Sequence, residues 1–320
     1  MIQPPEDRPT TTTRDPRSDP CPACGRSAWR ATFLVAGTHR IAICRSCGIG
    51  VLADPPEGDA LAALYQSDLY AAARPRAMAA AQLAHRAVNA IRLGSLGPAD
   101  GRLLDVGCGK GHFLAAARAA GWDAIGIEFA SSSAEEAKAR YGLDIVVADF
   151  MTEPLPGPYD ALTMWHVLEH LSDPRAAVER ARTFLASDGR LLISVPNLAS
   201  LQARLFGPDW LHLDLPRHLF HYTPRALAML LERCGFRVER IDTFAPEMEI
   251  LGLVQSVMNR LGSEENVALR FLKNDPSAPA LQAVGAIAGA AFILPAAVAW
   301  SALAPVLGTG ASVQVLARRA

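Results

Sequence analysis

The sequence predicts an α/β fold, a doubly wound sheet of largely parallel strands preceded by a small cysteine-rich module. Three observations carry this expectation. From residue 102 onward, short β-type runs alternate with helical runs, the pattern of parallel strands joined by crossover helices. A glycine-rich turn at 107–111 follows the first of those runs and leads into a helix. Ahead of the sheet stand two C-x-x-C pairs, Cys21/Cys24 and Cys44/Cys47, separated by nineteen residues.

The elements follow in order. Residues 1–20 are rich in Pro, Thr, Arg and Asp with no apolar stretch, so a disordered tail and no secretory signal are expected. Residues 21–52 form the cysteine module, with short strands in "ATFLVAG" and "RIAIC" between the pairs. Residues 53–101 read as a helical linker or lid, closing on the loop "GSLGPADG" at 94–101. The sheet then begins. "RLLDV" is a strand, and "GHFLAAARAAG" a helix ending at Gly121. "DAIGIE" is a strand, and "SSSAEEAKARYG" a helix stopped by Gly142. "DIVVAD" and "YDALTMW" are strands. In "DPRAAVERARTFLASDG", Asp173 is placed as N-cap, Pro174 at the first helical position and Gly189 as stop. "RLLISVP" is a strand, "TPRALAMLLERCG" repeats the capping device with Thr223, Pro224 and Gly235, and "FRVERIDTF" and "SVQVLARR" are the last strands. The sheet domain therefore comprises 102–245 plus 311–320, with 246–310 as an insertion before the last strand.

Composition narrows the function. Half of the residues are hydrophobic and the formal net charge is -1, which gives a sizeable core and argues against a nucleic-acid partner. The cysteine pairs have metal-site spacing rather than the look of a secreted disulfide framework. Four thiolates suit a closed, structural zinc site on Cys21, Cys24, Cys44 and Cys47, and metal would supply much of the folding energy of so small a ribbon.

The most specific stretch is "LLDVGCGKGHFL" at 103–114. Gly107, Gly109 and Gly111 let the chain turn tightly and a ligand approach its backbone. Glu128 ends the next strand, where an acid takes the ribose hydroxyls of a nucleotide cofactor. A dinucleotide site wants glycine where His112 stands, and Asp105, two residues before the first glycine, suits an amine-bearing ligand better than a pyrophosphate. S-adenosylmethionine (SAM) is favoured over a nicotinamide cofactor.

On these motifs, residues 102–245 resemble a class I SAM-dependent methyltransferase of the ubiquinone-biosynthesis-like type. "LLDVGCGKGHFL", "IGIE", "VVADF" and "YDALTMWHVLEHLSDP" carry the resemblance. It implies a Rossmann-like seven-stranded sheet whose last strand is antiparallel. It implies that Asp105 holds the methionine amino group, that Gly107, Cys108, Gly109 and Gly111 line the cofactor, and that Glu128 and Phe129 flank the ribose. Asp149 and Phe150 would flank the adenine, with His166 beside the methionine end. "SLQARLFGPDWLHLDLPRHLFHYTP" resembles a subgroup that carries an N-terminal zinc ribbon and is often found in surface-polysaccharide gene neighbourhoods.

Two polar stretches, "WHVLEH" and "HLDLPRHLFH", follow strand ends where open parallel sheets place ligands. Methyl transfer needs alignment and, for a hydroxyl acceptor, a base. His170, His218 and His221 are the candidate bases, and Glu169, Asp214 and Arg217 candidate contacts to the acceptor. A salt bridge between Arg217 and Asp214 is equally compatible, as is a two-His-one-carboxylate metal site. The leading reading is a methyltransferase for a small or lipid-linked acceptor, a sugar hydroxyl among the candidates. The others are a sugar C-methyltransferase and a non-catalytic scaffold of the same fold.

Residues 281–307 contain no charged residue. Pro295 divides them into pieces of about 13 residues, each about 20 Å long as helix and too short for a hydrocarbon core of roughly 30 Å. The expectation is a monotopic hairpin broken at Pro295 that dips into one leaflet. It would place a cytoplasmic protein at the inner face of the membrane.

Overall fold

The computed structural model describes residues 15–31, 34–56, 78–262 and 280–320. The helix expected at 57–66 and most of the expected tail lie outside the described residues.

Two sheets are present among the described residues. The smaller contains β1 (Leu34–Ala36), β2 (His39–Ile43) and β3 (Gly50–Leu52), and is completed by β9 (Phe220–His221). The larger contains β4 (Arg102–Val106), β5 (Asp123–Glu128), β6 (Ile145–Val147), β7 (Tyr159–Trp165), β8 (Leu185–Pro196), β10 (Phe236–Asp242) and β11 (Ser312–Arg319). Its order is β10-β11-β8-β7-β4-β5-β6. The pairs from β8 through β7, β4 and β5 to β6 are parallel, and β11 runs antiparallel between β8 and β10.

Side-chain alternation explains why the sheet is covered on both faces. Leu103, Ala161 and Leu192 face one core, with α1 (Met78–Leu96), α2 (His112–Ala119) and α3 (Ser131–Tyr141) over it. Their neighbours Leu104, Leu162 and Leu191 face the other, under α4 (Pro174–Phe184) and α6 (Pro224–Arg233). Asp173 and Thr223 cap these last two helices by accepting the amides of Ala176 and Ala226, as their spacing predicts. Helix α4 ends at Phe184, short of the expected Gly189, because Leu185 already pairs with Tyr159 and is buried.

Two further expectations need correction. Residues 15–20 are already tied to the ribbon: the Trp29 indole donates to the Asp19 carbonyl (3.0 Å), and Arg17 reaches the Ala31 carbonyl (2.7 Å). The charge-free run is not broken at Pro295. It lies in one helix, α8 (Ala280–Val306), and the hairpin is made by α8 against α7 (Pro246–Arg260). Ile293, Ala297, Ser301 and Ala304 recur at helical spacing on the better-covered side, and Ile293 and Ala297 pack with Val254 and Met258. Pro295 sits on the exposed side, and the packed side carries the helix past it. The insertion leaves after β10 and re-enters before β11 at one edge, as expected. Glu249, fully buried in α7, pins that edge by accepting from the Gln202 side chain (2.6 Å) and the Ala311 amide. Among the described residues no helix is long and apolar enough to cross a membrane.

Candidate functional site

The expected cofactor residues gather at the C-terminal ends of β4, β5, β6 and β7, the usual ligand side of such a sheet. At the end of β4, Gly107 adopts φ 66° and a Cβ there would lie 2.5 Å from Val167. Gly109 has φ 52° and faces open space, so its backbone is accessible to a ligand. The Glu128 carboxylate is held in place by two amides, Gly109 N–H on Oε2 and Ala130 N–H on Oε1, each at 2.8 Å. It is braced before any ribose arrives. Phe129 is 55 % exposed beside it. Asp149 accepts the Met151 amide at 2.8 Å in the turn after β6. The Phe150 ring is buried and packs near Phe184.

Asp105 is buried and accepts a 2.7 Å bond from the Thr163 hydroxyl on neighbouring β7. Burial pushes its carboxyl up to about 7, against the opposing pull of the Thr163 bond and of Arg92. A cationic ammonium is the partner that would restore its charge. Arg92 on α1 was not singled out from sequence. It stacks over Trp165 (4.7 Å), pairs with Glu247 (3.5 Å) and places its charge where both Asp105 and His166 feel it. It lies on an alanine-rich helix with no motif around it. Thr163 did leave a sequence signal, as a polar residue inside an apolar strand. The donor set of Asp105, Glu128 and the open glycine backbone fits SAM.

A second group of polar residues begins where β7 ends. His166 has φ 56°, unusual for a non-glycine residue. Its Nδ1 lies 3.4 Å from Oε1 of Glu169, and burial lowers its pKa to about 4. Glu169 is fully buried, and neither carboxylate oxygen has a hydrogen-bond partner. Burial raises its carboxyl to about 7. His170 Nδ1 donates to the Arg217 carbonyl at 3.1 Å, and His218 Nδ1 to the His212 carbonyl at 3.0 Å. The two rings meet edge to face at 4.7 Å, and His221 lies 6.3 Å beyond His218. Burial depresses the pKa of both His218 and His221, the latter to about 4. The structure thus brings His166, Glu169, His170 and His218 together, with His221 behind them, fully enclosed. Glu169, His170 and His218 have ligand-type atoms within 4.8 Å of one another. Arg217 is engaged with Asp214 (2.5 Å), and Asp214 is also 3.7 Å from His218.

A cavity of about 500 Å³ opens beside Asp214, between the β1–β2 turn (Gly37, Thr38) and the segment carrying Asp209 and Trp210. No Lys or Arg is among its described lining residues.

The four cysteines of the small sheet are buried, and none is in a disulfide. Cys21 and Cys47 sulfurs are 3.6 Å apart, Cys24 and Cys44 3.7 Å. A tetrahedron with zinc–sulfur bonds of about 2.3 Å has edges of about 3.8 Å, so the donor set fits zinc.

A family model described as a methyltransferase domain matches residues 70–241. A ubiquinone biosynthesis O-methyltransferase of Xanthomonas axonopodis pv. citri is 28% identical over 173 residues, covering 49% of this chain and 72% of its own. One of Bordetella parapertussis is 34% identical over 169 residues, covering 47% and 69%. A solved SAM-dependent methyltransferase of Archaeoglobus fulgidus is 20% identical, with 73% of this chain and 94% of that chain covered and a TM-score of 0.47.

Proposed function

The chain belongs to the methyltransferase-domain family and is a class I SAM-dependent methyltransferase; from that premise we propose that it methylates a hydroxyl of a small or lipid-linked acceptor, with His170 as the base. The observation that supports this most is the histidine–carboxylate cluster at the end of β7, the strand beside the one bearing the glycine turn.

SAM supplies an electrophilic methyl on a sulfonium. The acceptor oxygen attacks that carbon in line, the carbon–sulfur bond breaks, and S-adenosylhomocysteine leaves. The hydroxyl proton passes to His170. Its Nδ1 proton is committed to the Arg217 carbonyl, so the basic lone pair is on Nε2. Asp105, Glu128 and the Gly109 backbone hold the cofactor. The cavity beside Asp214 is lined by the carboxylates of Asp209 and Asp214 together with apolar and small residues, and the ring and hydroxyls of a sugar are consistent with it. Screening candidate acceptors with methyl-labelled SAM tests the reading. O-methylated product is expected, and label appearing only on nitrogen or carbon contradicts it.

We further propose that Cys21, Cys24, Cys44 and Cys47 hold one structural zinc. Elemental analysis should find about one zinc per chain, lost in Cys24→Ser. Metal-free protein from an anaerobic preparation contradicts this.

A lipid-linked acceptor would place the protein at the inner face of the membrane, with the outer side of α8 as the contact. The exposed Phe292, Leu294, Val298, Leu303 and Val306 there support that reading. Liposome flotation, lost in Phe292→Ser/Val298→Ser, is the expected outcome. No flotation of the unaltered protein contradicts it.

A further inference from the structure

We propose that the cysteine ribbon is a positioning element of the active site, holding the segment that carries His218 and His221 in register with Glu169 and His170. The inference rests on the zinc and histidine-cluster readings above, and goes beyond both by joining them.

The ribbon does not end at its own third strand. β3 pairs with β9, Gly50 opposite His221 and Val51 opposite Phe220. β9 belongs to the stretch that follows the His218 turn, so the ribbon's sheet is completed by a strand of the catalytic domain. Leu219 is the joint. Its carbonyl accepts the amide of Leu52 in the ribbon (3.0 Å), and its own amide donates to the carbonyl of Glu169 (2.8 Å). A single residue therefore ties β3 to the loop bearing Glu169 and His170.

The metal-binding turns are tied to the same segment. The Thr223 hydroxyl, two residues past His221, donates to the carbonyl of Cys47 at 2.7 Å. Arg233 of α6 donates to the carbonyl of Ala23 at 3.0 Å, within the first cysteine turn. The four cysteines, Leu219, Phe220 and Tyr222 share one continuous core with Leu104 and Leu162 of the main sheet.

The joint matters because part of the cluster has few polar fixings. Among the described residues, both Glu169 oxygens and both His221 ring nitrogens lack hydrogen-bond partners. His218 is oriented by one bond, from Nδ1 to the His212 carbonyl. The His221 ring therefore depends for its placement on the backbone behind it, and β3 supplies that backbone's partner. Gly50 marks the closeness of fit. A Cβ there would lie 2.8 Å from Ile41 and 3.2 Å from the Cβ of His221.

The test compares three preparations by NMR: zinc-loaded protein, protein stripped of zinc by a chelator, and Gly50→Ala with its zinc in place. In the last two, the Leu52 and Leu219 amides should lose about tenfold or more of their protection from hydrogen exchange. The imidazole nitrogen signals of His218 and His221 should shift. Amides of β4 and β5 should keep their protection, and SAM affinity should be unchanged, because no cofactor contact passes through the ribbon. Unchanged Leu219 exchange and imidazole signals in both altered preparations would overturn the proposal. So would a uniform loss that includes β4 and SAM binding, since the ribbon would then be general folding core. If the protein as purified holds no zinc, the zinc reading fails alone, and Gly50→Ala still decides the positioning claim.

Discussion

The proposed cofactor half and the proposed acceptor half of the site lie at the ends of adjacent strands and are held in different ways. Around the glycine turn, restraint is local and polar. Glu128 is fixed by two amides, and Asp105 by a hydroxyl one strand away. Around His170, restraint is remote. The cluster draws on the end of β7, the 212–221 segment and, through Leu219, the ribbon. The cofactor is common to a whole family, so its half can be a fixed local motif. The acceptor half must change between enzymes, and an assembly of separate segments can be altered piece by piece.

The contrast is broken most strongly by His170→Ala. Loss of a general base lowers turnover by roughly 10²–10⁴, and the cofactor half should not register it. Steady-state rates with calorimetry of SAM binding on the same sample check this. A parallel fall in SAM affinity would mean the halves are not separable.

Glu169→Gln probes the cost of a carboxylate enclosed without partners. Burial raises the Glu169 carboxyl from 4.5 to about 7. Between those values the folded chain retains a proton that the unfolded chain has released, so native Glu169 lowers stability as pH rises through this window and by a constant amount above it. The variant's advantage in stability should be near zero at pH 4, grow to pH 7 and then level, on the order of 3 kcal/mol. Thermal melts across pH read it, and a pH-independent difference would show that Glu169 is not held as described.

These two residues also mark the limit of what sequence conveys. Asp105, Glu128 and the three glycines stand in one run and at the next strand's end, where short-range spacing dictates geometry. The structure leaves them where that spacing puts them. His170 and His218 were visible as residue types after strand ends. Their edge-to-face contact depends on a chain reversal over 212–221 that no local pattern encodes. Strand β9 was invisible because two residues carry no periodicity, and Arg92 because a long side chain from a distant helix leaves no spacing signal. Pro295 misleads for a physical reason: a proline's cost to a helix, a lost hydrogen bond and a crowded preceding turn, is offset here by packing against α7, and α7 is not legible in the sequence as that partner.

Glu128→Ala sharpens the comparison from the other side. It removes charged hydrogen bonds to ribose, each typically about 1.5–3 kcal/mol, so SAM affinity should fall about tenfold or more while the imidazole signals of His170 and His218 stay in place. Calorimetry and NMR on one preparation decide it. Unweakened SAM binding would remove Glu128 from the cofactor site.

The smallest effect is expected for Arg217→Gln. Its partner Asp214 is partly exposed, and pairs of that kind contribute about 0.2–1 kcal/mol. The backbone carbonyl that orients His170 survives the change, so turnover should fall only slightly and melts should move little. A loss comparable to that of His170→Ala would instead give Arg217 a direct role at the acceptor.

The central claim is that cofactor and histidine cluster face one another across the ends of β4 and β7. A crystal structure with S-adenosylhomocysteine bound tests it most directly. The account predicts the ribose on Glu128, the amino group toward Asp105, and the sulfur directed to the space bordered by His166 and His170. A sulfur directed away from that space, with other side chains between it and His170, would contradict it.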